Sequence, residues 1–318
     1  MKINSSYIAF LAIVFIIISC SSIEKTRPYL ISKTYDVSIK RDFWGIPYIK
    51  GKTDQDVAYG IGFVHAQDAY EDLVELMPLY RGENAIYNGL KSIETDYLVR
   101  LLKIHSKVEN IAKKQLSKNI LSMAQAYADG VNMYANQHPD QVNQNLHPVT
   151  QEDIIAGSYI QHLFFAGLER ELAQMTSKEE QSVPTGSNAI AVNSIKADSK
   201  ASYLLINSHQ PLSGPVGWYE LNIESESGWH GHGGNFPGSF LINIGFNNAM
   251  AWGATVNRPD VMDIFELTIN PENQDQYLLD GDWEAFDIEK DYLTFRIFGF
   301  LKIKTKQKFR YSKFGPVL

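Results

Sequence analysis

The sequence predicts an α+β protein, with helices gathered in its first half and strands in its second. Apolar residues recur at helical spacing through most of residues 53–174. From Ser187 onward the period shortens to two, and Gly and Asn turns separate short alternating runs. There is no internal repeat and no long low-complexity tract. Helices first and strands later is the order that suits an α+β chain.

The elements follow in order. Residues 1–19 have the layout of a secretory signal, with Lys2 as a small basic start and an unbroken apolar run over 8–18. That run is too short to span a bilayer as a helix. It ends Ile17-Ile18-Ser19-Cys20, similar to a bacterial lipobox, and Cys20 is the only cysteine. A lone cysteine forms no internal disulfide, so lipidation at Cys20 is expected, with residues 20–34 as a tether. Acyl chains contribute about 0.8 kcal/mol per buried CH₂, enough for a stable anchor when several are attached. The expected location is the bacterial cell envelope, outside the cytoplasm.

Residues 35–50 alternate around Trp44-Gly45 and read as a hairpin. Thr53-Asp54-Gln55-Asp56 has capping-box spacing, with Asp in place of Glu. It opens a helix carrying Val57, Ile61, Val64, Leu73 and Leu76 on one face and ending near Arg81-Gly82. More helix is expected over 95–135, interrupted near Ser117. Thr150-Gln151-Glu152-Asp153 repeats the spacing and leads a helix to about residue 174. Strands are expected at 187–192, 203–207, 218–223, 240–244, 250–255 and 263–267, while His230-Gly231-His232 falls on a Gly-rich loop. Lys302-Ile303-Lys304-Thr305-Lys306-Gln307-Lys308 reads as a strand with one solvated face.

The net charge is −7, and it becomes −8 without residues 1–19, which hold one lysine and no acid. Nucleic acid is a poor partner for such a chain, because phosphate neutralisation needs clustered Lys and Arg. The chain has no Gly-x-Ser-x-Gly elbow, no Gly-Lys-Ser/Thr phosphate loop and no His-Glu-x-x-His.

The most informative segment is Gly186-Ser187-Asn188, where a polar stretch meets an apolar strand. A serine at the mouth of a strand suits a nucleophile that becomes a new N-terminus once the Gly186–Ser187 bond is cut. Its freed α-amine titrates near ~7.7–8.0, leaving roughly 10–20% unprotonated at pH 7, so it can serve as the base. Glycine before the serine permits the strained or closely approached backbone that self-cleavage requires. Taken alone, Gly-Ser-Asn reads first as a turn before a strand.

With these residues the chain resembles the penicillin and cephalosporin acylases, N-terminal-nucleophile amidohydrolases that include acyl-homoserine-lactone acylases. The resemblance runs from about residue 37 to 318. It rests on Arg41-Asp42-Phe43-Trp44-Gly45-Ile46-Pro47, Gly60-Ile61-Gly62-Phe63-Val64-His65-Ala66-Gln67-Asp68 and Gly186-Ser187-Asn188-Ala189. Further blocks are Ile206-Asn207-Ser208-His209, Trp218-Tyr219-Glu220, Phe236-Pro237-Gly238, Ile244-Gly245-Phe246-Asn247, Ala251-Trp252-Gly253 and Asp260-Val261-Met262-Asp263. It implies a four-layer αββα sandwich of two sheets between helical layers, incomplete at the C-terminus. Residues 35–186 would form the mainly helical α-chain-like region and 187–318 the first part of the β-chain-like region.

The resemblance implies cleavage between Gly186 and Ser187, with Ser187 as nucleophile and His209, 22 residues on, touching that serine and orienting it or helping move its proton. Some relatives carry glutamine there, and histidine resembles the cephalosporin and homoserine-lactone branch. Alone, His209 is an ordinary turn or core histidine. The Val256 N–H, 69 residues after Ser187, is implied as one oxyanion donor. The second, an asparagine side chain, and an arginine supporting it lie farther along in the family. No residue here matches either. The chain alone is therefore expected to turn over weakly or not at all unless a missing C-terminal portion or a second polypeptide completes it.

Glu171, Asp260 and Asp263 match the acidic positions of a structural calcium site in several relatives, with Glu169 as a rival to Glu171. Carboxylates from separate segments suit Ca²⁺. Solvated acids, or an internal ion pair with Arg258 or Arg170, fit the same residues. No organic cofactor is implied, and two histidines at 230 and 232 fall short of a metal site. His65 and Asp68 look catalytic by type, but close helix packing beside Gly60 and Gly62 is the simpler reading. Trp218, Tyr219, Trp229 and Phe236 are core or pocket wall. The function expected is hydrolysis of a carbon–nitrogen bond in a linear amide, releasing an acyl group, for example from an N-acyl-homoserine lactone or a β-lactam side chain. The alternative is a non-catalytic, acylase-like lipoprotein or binding module.

Overall fold

Two capping boxes set the helical layer where the sequence places them. Thr53 caps α1 (Asp54–Asp68): its hydroxyl accepts the Asp56 N–H, and the Asp56 carboxylate accepts the Thr53 N–H. Between α1 and the second box lie α2 (Tyr70–Arg81), α3 (Ile93–Leu101) and α4 (Lys118–Gln137), the last capped by Ser117. Thr150 and Asp153 then repeat the reciprocal bonds at α5 (Gln151–Phe165). Each cap satisfies amide donors that would otherwise be orphaned, typically ~1 kcal/mol. The helix expected from Thr53 to Arg81 is broken at Ala69, and Gly82 closes α2 in the left-handed conformation.

The structure is a computed structural model. It describes residues 28–143, 146–168, 186–213, 216–256 and 263–318. Ile31–Leu318 form one unit, and residues 28–30 belong to a separate N-terminal unit. Cys20 and the expected signal lie outside the described residues, as do Glu169, Arg170, Glu171, Arg258 and Asp260. No helix among the described residues is long and apolar enough to cross a membrane.

The core forms where α1 and α4 cross in backbone contact. A Cβ on Gly62 would lie 2.1 Å from the Tyr127 carbonyl oxygen, and one on Gly130 would lie 2.1 Å from that of Tyr59. Ile61, Val64, Ala124, Ala128 and Val131 are fully buried at this crossing. Ile49, Leu221 and Ile223 join the same core from a six-stranded sheet of order β1-β2-β5-β6-β7-β8. Its strands are β1 (Val37–Arg41), β2 (Pro47–Gly51), β5 (Tyr219–Ser225), β6 (His230–Asn235), β7 (Ile244–Phe246) and β8 (Ala251–Trp252). Only β2 and β5 pair in parallel. Two strands precede the Gly186–Ser187 bond and four follow it, so this sheet ties together the chain on both sides of that bond.

A second sheet is the antiparallel hairpin of β3 (Gly186–Val192) and β4 (Tyr203–His209). Farther on, β9 (Gln276–Leu279) pairs with β10 (Asp282–Ala285), and β11 (Asp287–Ile297), β12 (Leu301–Ser312) and β13 (Gly315–Val317) form a three-stranded sheet. The mixed α+β class stands, as does the lysine-alternating strand, which lies within β12.

The strand boundaries after residue 225 differ from expectation. Residues 230–235 are a strand inside the sheet and not a loop. Of the strand expected at 240–244 only Ile244 is strand, at the start of β7; the one expected at 250–255 contracts to β8, and 263–267 is not a strand. His-Gly-His-Gly-Gly carries no apolar alternation to read. Its glycines answer to packing: a Cβ on Gly233 would lie 2.0 Å from the Ile244 carbonyl oxygen. His232 is held by Asn222 (2.5 Å) and Glu220 (3.1 Å).

His65 and Asp68 serve packing, as their helix context predicts. His65 is fully buried; its Nδ1 accepts the Tyr127 hydroxyl (2.7 Å) and its Nε2–H donates to Asn235 (3.1 Å). Tyr127 in turn accepts the Gly238 N–H at 2.8 Å. Burial lowers the His65 pKa to about 3 and keeps the ring neutral. Asp68 pairs with Arg41 (2.8 Å) and accepts the Tyr219 hydroxyl, joining α1 to β1 and β5.

Candidate active site at the Gly186–Ser187 bond

The register of one hairpin decides which groups meet at Ser187. Gly186 pairs with His209, Ser187 with Ser208 and Asn188 with Asn207. Cross-strand partners share a face and successive residues alternate. Ser187, Ser208 and Ile206 therefore share one face, while Gly186, His209, Asn188 and Asn207 share the other.

On the first face the chain after β8 crosses the hairpin. A Cβ on Gly253 would lie 2.1 Å from Ile206 Cδ1, so only a glycine lets the backbone settle here. Three residues later the Val256 N–H donates to Ser187 Oγ at 2.9 Å. A valine 69 positions away is thus the direct partner of the candidate nucleophile. It acts through its backbone, which no side-chain pattern encodes. The bond favours negative charge on the serine oxygen.

On the second face His209 lies beside Gly186, the residue that supplies the carbonyl of the expected scissile bond. Its Nδ1 is 3.0 Å from the position a Cβ on Gly186 would take. The amide nitrogens of Asn188 (3.2 Å) and Asn207 (3.4 Å) both approach His209 Nε2. An amide nitrogen can only donate, so in this arrangement Nε2 is the ring atom that accepts. Among the described residues no hydrogen bond joins His209 to Ser187; the ring touches the neighbouring glycine instead. This gives Gly186 a concrete reason. Its φ is not left-handed; a Cβ here would crowd the imidazole, which would have to give by a few tenths of an ångström.

The two asparagines are the residues that sequence reasoning left without a role. The period of two was the available signal, since it puts Asn188, Asn207 and His209 on one side of the hairpin. The site is open: Val256 is 39% exposed, and His209, Asn188 and Asn207 are exposed. Ile190 and Leu205 form an apolar exposed pair farther along the His209 face. Of the expected calcium ligands only Asp263 lies among the described residues. It is exposed, and no group of three or more metal-ligating side chains occurs among those residues.

Comparison with known proteins follows this geometry. The penicillin amidase family model matches residues 36–318. An acyl-homoserine lactone acylase PvdQ from Pseudomonas fluorescens (strain Pf-5) is 25% identical over 319 residues, covering 88% of this chain and 40% of that protein. An acyl-homoserine lactone acylase QuiP from Pseudomonas aeruginosa is 23% identical over 310 residues, covering 78% of this chain and 36% of that protein. The chain thus spans about two fifths of the length of these curated relatives. A thermostable penicillin G acylase from Alcaligenes faecalis matches in structure at 19% identity, with a TM-score of 0.34, over 47% of this chain and 88% of that one. The match over residues 36–318 takes in both sides of the Gly186–Ser187 bond and every hairpin around it, and the chain belongs to the penicillin amidase family.

Proposed function

We propose that this chain belongs to an acylase that hydrolyses the carbon–nitrogen bond of a linear acyl amide, after cutting itself between Gly186 and Ser187. The observation that carries the reading is the Val256 N–H at 2.9 Å from Ser187 Oγ, beside a glycine–histidine contact on the preceding residue. In self-cleavage Ser187 Oγ bonds to the Gly186 carbonyl carbon, the Gly186–Ser187 C–N bond breaks, and the hydroxyl proton passes to the departing nitrogen. Water then hydrolyses the ester, leaving a Gly186 carboxylate and a free Ser187 amine. That amine is the base for the second reaction: Oγ attacks the substrate carbonyl, the amine product leaves with the proton, and water releases the acid.

In this scheme Val256 N–H stabilises the developing oxyanion, a contribution of roughly 2.7–4 kcal/mol in comparable sites. His209, approached by the Asn188 and Asn207 amides, orients the Gly186 side of the bond. The substrates named for the relatives make an N-acyl-homoserine lactone the first to assay, with a β-lactam side chain second. The protein would be exported and lipidated at Cys20. Calcium bound by Glu171, Asp260 and Asp263 would be structural, raising thermal stability when added.

The test is the mass and N-terminal sequence of the protein purified from its native membranes, beside a Ser187→Ala variant. A fragment starting Ser-Asn-Ala-Ile-Ala in the wild type and absent in the variant is expected. Cleavage persisting in Ser187→Ala would remove the nucleophile assignment. The exposed hairpin favours a second reading, a non-catalytic acylase-like lipoprotein; an uncut wild-type chain with no amide hydrolysis would establish it.

A further inference from the structure

The β11–β12 ribbon carries features that the acylase reading does not use. One of its faces packs inward at Leu293 and Phe309, which meet Leu101 of α3. The other carries Lys290, Arg296, Lys302, Lys304, Lys306 and Lys308, and no acid from either strand. Lys290 lies directly opposite Lys308, and Arg296 opposite Lys302. Like charges so placed cost stability. Asp275 compensates the root of the ribbon, pairing with Lys308 (3.0 Å) and Arg310 (2.8 Å). Among the described residues no carboxylate pairs with Lys290, Lys302, Lys304 or Lys306. Lys304 instead lies over the Tyr292 ring, 4.4 Å from its centroid.

The tip is apolar. The chain reverses at residues 297–300, where the Phe300 N–H donates to the Ile297 carbonyl at 3.3 Å. Both central residues are left-handed, Phe298 at φ 51° and Gly299 at φ 76°. A bulky residue seldom adopts that conformation, yet the Phe298 ring is 83% exposed and the Phe300 ring 79%. Two aromatic rings thus project from a strained turn, and uncompensated lysines line the strand behind them.

We propose that the β11–β12 ribbon docks on an anionic lipid bilayer, with Phe298 and Phe300 entering the interface and Lys302, Lys304 and Lys306 meeting the headgroup phosphates. Charge complementarity and the apolar tip select this partner together: a bilayer interface offers negative charge at the surface and an apolar layer just beneath it. Lysine stems bridge the two levels, apolar along their length and charged at the end. This inference is independent of the chemistry at Ser187.

The test is vesicle co-sedimentation of the full protein carrying Cys20→Ser, so that no acyl chain contributes. Vesicles of equal parts phosphatidylethanolamine and phosphatidylglycerol are compared with phosphatidylcholine alone. Binding is expected only to the anionic vesicles, and it should weaken as salt rises. Replacing Lys302, Lys304 and Lys306 by Gln should lower the partition about a hundredfold, at about fivefold per cation. Phe298→Ser with Phe300→Ser should lower it at least about tenfold. All five residues replaced in the two variants are exposed, so the variants should keep the wild-type thermal midpoint; if one set does not, the other set and the salt series still decide. Equal binding to both vesicle types, no binding to either, or unchanged partition of the lysine variant overturns the proposal. The tip being covered by another segment of the protein or by a second copy would appear as no binding.

Discussion

Gly186→Ala probes the contact that distinguishes this site, and its effect can be worked from the geometry. The new Cβ would lie 3.0 Å from His209 Nδ1, tighter than an ordinary carbon–nitrogen contact, so the ring must move. The ring is held by the Asn188 and Asn207 amides at 3.2 and 3.4 Å, and displacing it breaks or lengthens both bonds. Nε2 has one in-plane lone pair, so at most one full bond is at stake, about 0.5–1.5 kcal/mol net. Expressed in the transition state for self-cleavage, that is a slowing of about 2- to 13-fold. The assay is the rate at which the fragment starting at Ser187 appears after synthesis of the full protein, followed by mass. A slower rate alone would not show that His209 transmits the effect. The decisive comparison is the double-mutant cycle with His209→Ala. If the alanine acts by displacing the ring, it has little left to do once the ring is gone, and the coupling energy should be about 0.5–1.5 kcal/mol. Strictly additive effects, or wild-type cleavage by Gly186→Ala, would refute the reasoning.

Three further predictions concern the same framework. Val256→Pro removes the N–H that reaches Ser187 Oγ and should slow self-cleavage about 10²–10³-fold; a rate within a few-fold of wild type would deny that N–H a role. Gly253→Ala places a Cβ 2.1 Å from Ile206 Cδ1 and should cost about 1–3 kcal/mol in urea unfolding as well as slow cleavage, and an unchanged urea midpoint would contradict it. Stability should fall on acidification. Burial holds the His65 pKa at about 3, and burial followed by the Arg81 charge holds His147 at about 4, against ~6.5 in the unfolded chain. Between those values the unfolded state binds the extra protons, so stability is full above about pH 6.5 and is lost as pH drops. The loss from His65 is about 2 kcal/mol by pH 5, and a urea midpoint that stays constant from pH 7 to 5 would refute this.

The legible parts of the fold were those written in local chemistry. Thr53 with Asp56 and Thr150 with Asp153 announce helix starts because the capping groups sit three residues apart in any context. Residues 187–192 and 203–207 alternate, and they fold as β3 and β4. The His-Gly-His-Gly-Gly segment stayed hidden because a strand made mostly of glycine has no side-chain period. Its place inside the sheet is set by the backbones of β5 and β7.

At the candidate site the division is equally physical. By itself the sequence determined the α+β order, the Gly-Ser junction and the family, and the resemblance to that family is what pointed to His209 and Val256. Only the tertiary structure decided how they meet. Whether Val256 reaches Ser187 depends on a backbone N–H carried across the hairpin from β8, and on Gly253 packing against Ile206. Whether His209 faces the serine or the glycine depends on strand register, where a shift of one residue exchanges the two faces. Register is fixed by pairing between segments distant in the chain, and the spacing of 22 residues leaves it open. The observed pairing puts the imidazole against Gly186 and the Val256 amide against Ser187, one on each side of the same peptide bond.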